Sequence, residues 1–210
     1  MDEQNNDYFW PSYVDFMMVL FFIALGLGGY MFLEYNNKIK AGRKYETLVK
    51  EVIRINESLK NEFERNHLQI DFSNKEKIKL KGDFYFETAS YELKSDEAVR
   101  NIRAIGRSFK KVLDADSNFA KYSILVEGHT DDVADDDYNN ILSYNRALCI
   151  TRIWSEGYGF QLPRYDIIAS GFGERKPVAD NITPAHRALN RRIEISIIPK
   201  LSEFTKRLQD

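Results

Sequence analysis

Residues Glu127–Leu148 read EGHTDDVADDDYNNILSYNRAL, and the fold turns on how this stretch divides. Its front end continues the run Ser123–Gly128 (SILVEG), short and apolar in the manner of a buried strand. Its back end opens LSYNRALCITRIWSEG, which carries apolar residues at helical spacing and meets a helix stop at Gly157. Polar, acidic residues lie between the two. The stretch is therefore predicted to be a strand, a loop and a helix, in that order.

Working outward, the same alternation repeats. Ser95–Leu113 (SDEAVRNIRAIGRSFKKVL) opens on a Ser95–Asp96–Glu97 cap and repeats at helical spacing through Val99, Ile102, Ile105, Phe109 and Leu113. Lys77–Glu87 (KIKLKGDFYFE) alternates like a strand pair, and Asp166–Gly173 (DIIASGFG) and Arg192–Ile198 (RIEISII) read as further strands. Strands alternating with helices predict an α/β domain, an α+β sandwich of βαβαβ order with its helices on one face of a small sheet. The whole chain has 210 residues, with 30 Lys and Arg against 32 Asp and Glu, a net charge of −2. That balance lacks the basic excess a nucleic-acid partner requires. The one cysteine, Cys149, excludes an internal disulfide and any cysteine-based zinc cage.

The N-terminal part is of another kind. Phe16–Leu33 (FMMVLFFIALGLGGYMFL) is 18 residues without a charge, and the apolar zone extends back to Tyr8, broken by Pro11, Ser12 and Asp15. A helix over residues 8–33 would be about 39 Å long, enough to span a membrane with aromatic residues at one interface. A cleaved signal peptide fits poorly, because no Lys or Arg precedes the run and no small-residue cleavage site follows it. Residues 34–70 are rich in Lys, Glu, Arg and Asn, with Leu48, Val52, Ile55, Leu59 and Phe63 on one helical face. They are expected to form a helical connector. Its seam fits a dimeric coiled coil, and equally an amphipathic helix lying on the membrane or on its own domain.

Ordered motifs in the C-terminal part resemble the OmpA-like peptidoglycan-binding domain. They are Gly128, Thr130 and Asp131; then Asn139, Leu142, Ser143, Arg146 and Ala147; then Gly171, Gly173 and Glu174; then Asn190–Glu194. Phe86–Leu93 (FETASYEL) is similar to that family's strand exit. The resemblance implies a domain over residues 71–200, with a polar tail at 201–210. It implies as ligand the diaminopimelate stem peptide, which presents an ammonium and a carboxylate on one carbon. An aspartate and an arginine at fixed separation would clamp such a zwitterion. The resemblance assigns Asp131 to the amine and Arg146 to the carboxylate, with Asn139, Leu142 and Glu87 as pocket neighbours. The competing reading is a plain Asp131–Arg146 salt bridge closing the loop on its helix.

Other chemistries fit the residues less well. Asp135, Asp137 and Asn139 have the spacing of a calcium loop, but Asn140 and Arg146 stand where that loop needs Gly and Glu. Cys149 with His129 would make a nucleophile and base, yet Cys149 lies on the apolar run of a helix. His67 and His186 have no partners at metal-ligand spacing. No metal, no cofactor and no enzymatic activity are expected.

Asp15 is the remaining singular residue, because an ionisable group within a span costs about 2.5 to 3.5 kcal/mol and marks function by default. Ser12 and Asp15 also have capping-box spacing, which would make Asp15 a plain cap. Trp10–Phe22 (WPSYVDFMMVLFF) resembles the transmembrane helix of MotB-type stator subunits, and its Trp10–Pro11–Ser12 lead-in is similar to the B subunit of Zorya antiphage systems. That resemblance implies a homodimer within a ring of five polytopic, MotA-like A subunits in the bacterial inner membrane. Residues 1–7 would be a cytoplasmic tail, the C-terminal domain periplasmic, and Asp15 the ion carrier. A flagellar stator subunit and a passive membrane-to-wall anchor are the alternatives, and the second has no need of Asp15. Charge opposes this topology: Asp2, Glu3 and Asp7 precede the span and Lys38, Lys40, Arg43 and Lys44 follow it, which by the positive-inside rule places the N-terminus outside.

Overall fold

A computed structural model describes residues 9–68, 70–74, 77–116, 119–155 and 166–200. The chain divides into two compact units, Met1–Thr47 and Leu48–Asp210. The described residues of the first belong to helix α1, Phe9–Arg65. Its apolar window has a mean hydropathy of 2.2 and none of it is buried, so its length and composition are those of a membrane-crossing helix. Phe16, Phe21, Leu25 and Leu33 all stand exposed on it, as does Asp15. Because α1 begins at Phe9, the backbone at Ser12 is already helical and Asp15 lies past the first turn, which removes the capping-box reading.

The second unit holds a five-stranded mixed sheet. Its strands are β1 (Asp71–Asn74), β2 (Lys77–Lys81), β3 (Tyr122–His129), β4 (Asp166–Gly171) and β5 (Arg192–Pro199), in the order β1-β2-β5-β3-β4. β3 and β4 pair in parallel, and β5 is antiparallel to both β3 and β2. β2 and β3 thus run in the same direction with the last strand inserted between them. The crossovers are α3 (Asp96–Asp114) and α4 (Asp136–Ser155). Ser95 caps α3 as its sequence predicts, its hydroxyl accepting from the Ala98 N–H at 3.1 Å. The Gly157 stop of α4 and the tail beyond 200 lie outside the described residues.

One face of the sheet carries the core. Ile78, Leu80, Ile124, Val126, Ile193, Ile195 and Ile197 meet Ile102, Ile105 and Phe109 of α3 and Ala147, Ile150 and Trp154 of α4. Each of the Ile, Leu, Val and Phe side chains among them, fully buried, contributes roughly 1.5 to 3 kcal/mol. Trp154 satisfies its indole N–H on the Ile102 carbonyl at 2.8 Å, tying α4 to α3. Gly128 sets how closely α4 lies on β3, since a Cβ there would stand 1.9 Å from the Ser143 carbonyl oxygen.

Two expectations need correction. The connector seam is not free to pair with a second copy: Ile55, Leu59 and Phe63 belong to this core with Val52 packed against it, and Leu48 is buried. Phe63 lies edge-on to Phe109 at 5.9 Å, and Arg54 reaches Asp116 at 2.6 Å, Lys111 reaches Glu62 at 2.8 Å. The amphipathic-helix alternative is the one realised. The strand pair at Lys77–Glu87 is also not formed, because only β2 is extended and Gly82–Tyr85 makes a helical turn, α2. The chain turns at Gly82 because it lies against the Arg191 carbonyl, 2.6 Å from where a Cβ would be, and β2 takes β1 as its hairpin partner instead.

The second face of the sheet is polar. Glu127 and Glu194 stand directly opposite one another on β3 and β5, an arrangement that like charges oppose. Lys77 offsets it by donating to both, at 2.6 and 2.8 Å, and Arg192 donates to Glu194 at 2.6 Å. Burial alone would raise the Glu194 carboxyl, but these donors bring it down to about 2.

Candidate functional site

The site forms where the loop after β3 meets the N-terminal half of α4, the residues around α2 and the approach to β5. Asp135 caps α4 by accepting from the Tyr138 N–H at 2.9 Å, and Asp136 pairs with Arg175 at 2.7 Å. Asp135, the first residue of the calcium-like spacing, and its neighbour Asp136 are therefore engaged in structure. Asn139 is buried, and its amide donates to the carbonyls of Asp131 (3.1 Å) and Ala134 (2.9 Å) and to Glu174 (2.9 Å). Its amide nitrogen pins the loop, and the residue also lines the cavity of the site. Gly173, at φ 52°, carries the following turn, with its N–H on the Ser143 hydroxyl at 2.9 Å and its carbonyl accepting from the Thr130 N–H at 3.0 Å.

These elements enclose a cavity of about 380 Å³ with Asp131, Leu142 and Arg146 in its lining. Asn139, Leu142 and Arg146 fall on one face of α4, which is why they share it. Arg146 is 5 % exposed, and its Nε donates to the Ser90 carbonyl at 2.8 Å and its Nη2 to the Glu87 carbonyl at 3.4 Å. Its guanidinium also lies 5.3 Å from the centre of the Phe86 ring. Burial pushes its pKa down, although Asp83 works against that. Among the described residues no carboxylate lies within ion-pairing distance of it, so the plain Asp131–Arg146 salt bridge is not formed. Glu87 serves through its carbonyl while its side chain stays exposed outside the cavity lining, which corrects its expected place.

Asp131 is held instead by Arg191, whose Nη1 donates to Oδ2 at 2.6 Å. The rest of that guanidinium grips Asp83, Nε to Oδ1 at 2.7 Å and Nη2 to Oδ2. The Arg191 hydrogen bond holds the Asp83 carboxyl below its ordinary range. Asp83, Arg187, Arg191, Tyr138 and the buried Thr130 also line the cavity and were not singled out as site residues from sequence. Thr130 and Arg191 lie inside recognised motifs, which was the available signal; Asp83 is 108 residues from its partner and carried none.

His129 and Cys149 do not form a reactive pair in any chemical sense. His129 is buried and stacked on Phe172 at 5.6 Å, and burial, with Arg192 nearby, pushes its pKa down to about 3. Cys149 packs against the core and burial pushes its thiol up.

A model described as the OmpA family matches residues 85–191, which contain Asp131, Arg146 and Arg191. The chain belongs to the OmpA family. Outer membrane porin F of Pseudomonas aeruginosa is 40% identical over 88 residues, which are 42% of this chain and 25% of that protein. Motility protein B of Bacillus subtilis is 35% identical over 82 residues, 37% of this chain and 31% of the relative. The chain spans less than half the length of the curated relatives it matches. A MotB-like protein from Desulfovibrio vulgaris shares the fold, with a TM-score of 0.55 at 23% identity over 73% of this chain and 99% of that one. The OmpA-family domain here is thus joined to a long apolar helix, and every residue lining the site except Asp83 lies within the matched segment.

Proposed function

We propose that this chain is the B subunit of an ion-driven rotary motor of Zorya type in the bacterial inner membrane. Its OmpA-family domain grips peptidoglycan in the periplasm, and Asp15 carries the ion. The observation that carries the wall-binding part is Arg146: a buried guanidinium, held by two carbonyls and the Phe86 ring with no carboxylate partner among the described residues, in one cavity with Asp131. Neutral anchors fix its direction and leave its charge for a ligand carboxylate, while Asp131 offers an oxygen to the ammonium on the same carbon. Likeness to Motility protein B and the Tyr13–Val14–Asp15–Phe16–Met17 segment support the motor part, and the Trp10–Pro11–Ser12 lead-in supports the Zorya type.

The mechanism follows from the solvent. A protonated Asp15 tolerates hydrocarbon and the anion needs a partner, which polytopic A subunits would supply, five around two copies of this chain. Each charge crossing 100 mV releases about 2.3 kcal/mol. With the connector seam buried in its own domain, pairing of the two copies falls to the span, where Ala24 and Gly28 form a small-xxx-small pair. The test is Asp15→Asn, which keeps the shape of the protonated acid and cannot ionise. It is expected to leave insertion and wall binding intact and to abolish ion flux measured with the A subunit present. Wild-type flux in that variant would reduce the protein to a passive anchor.

A further inference from the structure

The cavity has more positive charge than a zwitterion needs. Three guanidinium groups line it, those of Arg146, Arg187 and Arg191, against the two carboxylates of Asp83 and Asp131. Arg191 alone engages both carboxylates, through all three of its nitrogens. Arg187, like Arg146, is held by carbonyls: its Nη1 donates to Asn181 at 2.8 Å and to Ile182 at 3.2 Å. Among the described residues it has no carboxylate partner, so its direction is fixed and its charge is not offset. The Thr130 hydroxyl is buried in the lining and has no hydrogen-bond partner among the described residues. A donor so placed costs stability unless a ligand oxygen meets it.

A head group of one ammonium and one carboxylate is neutral and leaves this excess standing. It also sets its ammonium beside Asp131, where Arg191 already sits and repels it. We infer that the site takes a ligand with two carboxylates for its one ammonium, the second carboxylate lying against Arg187, and that Arg187 selects wall peptide in which this carboxylate is free. The inference rests on the wall-binding reading and refines it. In a stem peptide ending at diaminopimelate, two groups outside the zwitterionic head have the required chemistry. One is the α-carboxylate of the isoglutamyl residue, and the other is the carboxylate that ends the peptide. Arg187 is a fork with spare donors, suited to a planar carboxylate and poorly suited to the neutral amide of the same shape.

The test is calorimetric titration of the full chain in detergent micelles with the N-acetyl-Ala–isoglutamyl–diaminopimelate tripeptide, whose one ammonium is that of the head group, in three forms. These are the free acid, the isoglutamyl α-amide, and the amide of the carboxylate that ends the peptide. One amide is expected to bind at least about tenfold more weakly than the acid, and which one it is identifies the source of the second carboxylate. Arg187→Gln should weaken the acid to the level of that amide while leaving the amide unchanged, and Arg187→Lys should restore part of the difference. Equal binding of all three forms would overturn the inference while leaving the clamp in place. Uniform weakening of every form by Arg187→Gln, with no recovery in Arg187→Lys, would also overturn it, because that is the signature of a damaged loop. No binding of the free acid at all would instead remove the wall-binding reading, and the inference with it.

Discussion

His129 shows how a single residue can couple this fold to pH. Both ring nitrogens are buried without a hydrogen-bond partner among the described residues, and burial, with Arg192 nearby, lowers its pKa from 6.5 to about 3. The unfolded chain takes up a proton that the folded chain refuses, so its contribution is intact above pH 6.5 and is lost progressively as pH falls toward 3. The slope from one such group approaches about 1.4 kcal/mol per pH unit. His129→Phe keeps a ring on Phe172 and removes the titration. Thermal unfolding in micelles at pH 7 and pH 5 should show a smaller acid-induced drop for the variant, and an unchanged drop would assign the loss to other groups. Glu194, brought down to about 2, adds acid sensitivity only below its ordinary 4.5. At the same scale, the meeting of Asp131 and Arg146 in one cavity was legible from the loop between strand and helix, whereas the grip of Arg191 on Asp131 was not. That contact joins residues 60 apart, and no local pattern encodes it.

Among the elements, α1 separates what periodicity reveals from what it leaves open. The spacing of Leu48, Val52, Ile55, Leu59 and Phe63 fixes which face is apolar and says nothing of what covers it. The cover is the chain's own sheet and α3, with Leu59 fully buried. Leu59→Ala should therefore cost about 2 to 5 kcal/mol by leaving a cavity in the core, read as a lowered melting temperature at every protein concentration. Ile55→Cys, in a Cys149→Ser background, should resist both thiol reagents and crosslinking. Rapid disulfide formation between copies at position 55 would return the seam to a coiled coil. The helices α3 and α4 were legible because caps and 3.6-residue spacing are local. The failed strand pair at Lys77–Glu87 was not, since the turn at Gly82 is set by the distant Arg191 carbonyl.

For the molecule as a whole, an apolar helix bearing Asp15 continues into an OmpA-family domain whose cavity holds Arg146 and Asp131. The proposed wall binding rests on these two side chains gripping the peptidoglycan stem peptide. Neither substitution should unfold the domain, because Arg191 keeps Asp83 when Asp131 is lost and Arg146 makes no ion pair among the described residues, its hydrogen bonds going to loop carbonyls. The decisive measurement is co-sedimentation of the full chain, in detergent, with purified peptidoglycan, beside its melting temperature. Asp131→Asn and Arg146→Gln should each weaken binding by about 30-fold or more, the loss of roughly 2 kcal/mol expected when one partner of a charge-assisted pair goes, with melting nearly unchanged. Wild-type binding by both variants would contradict the account.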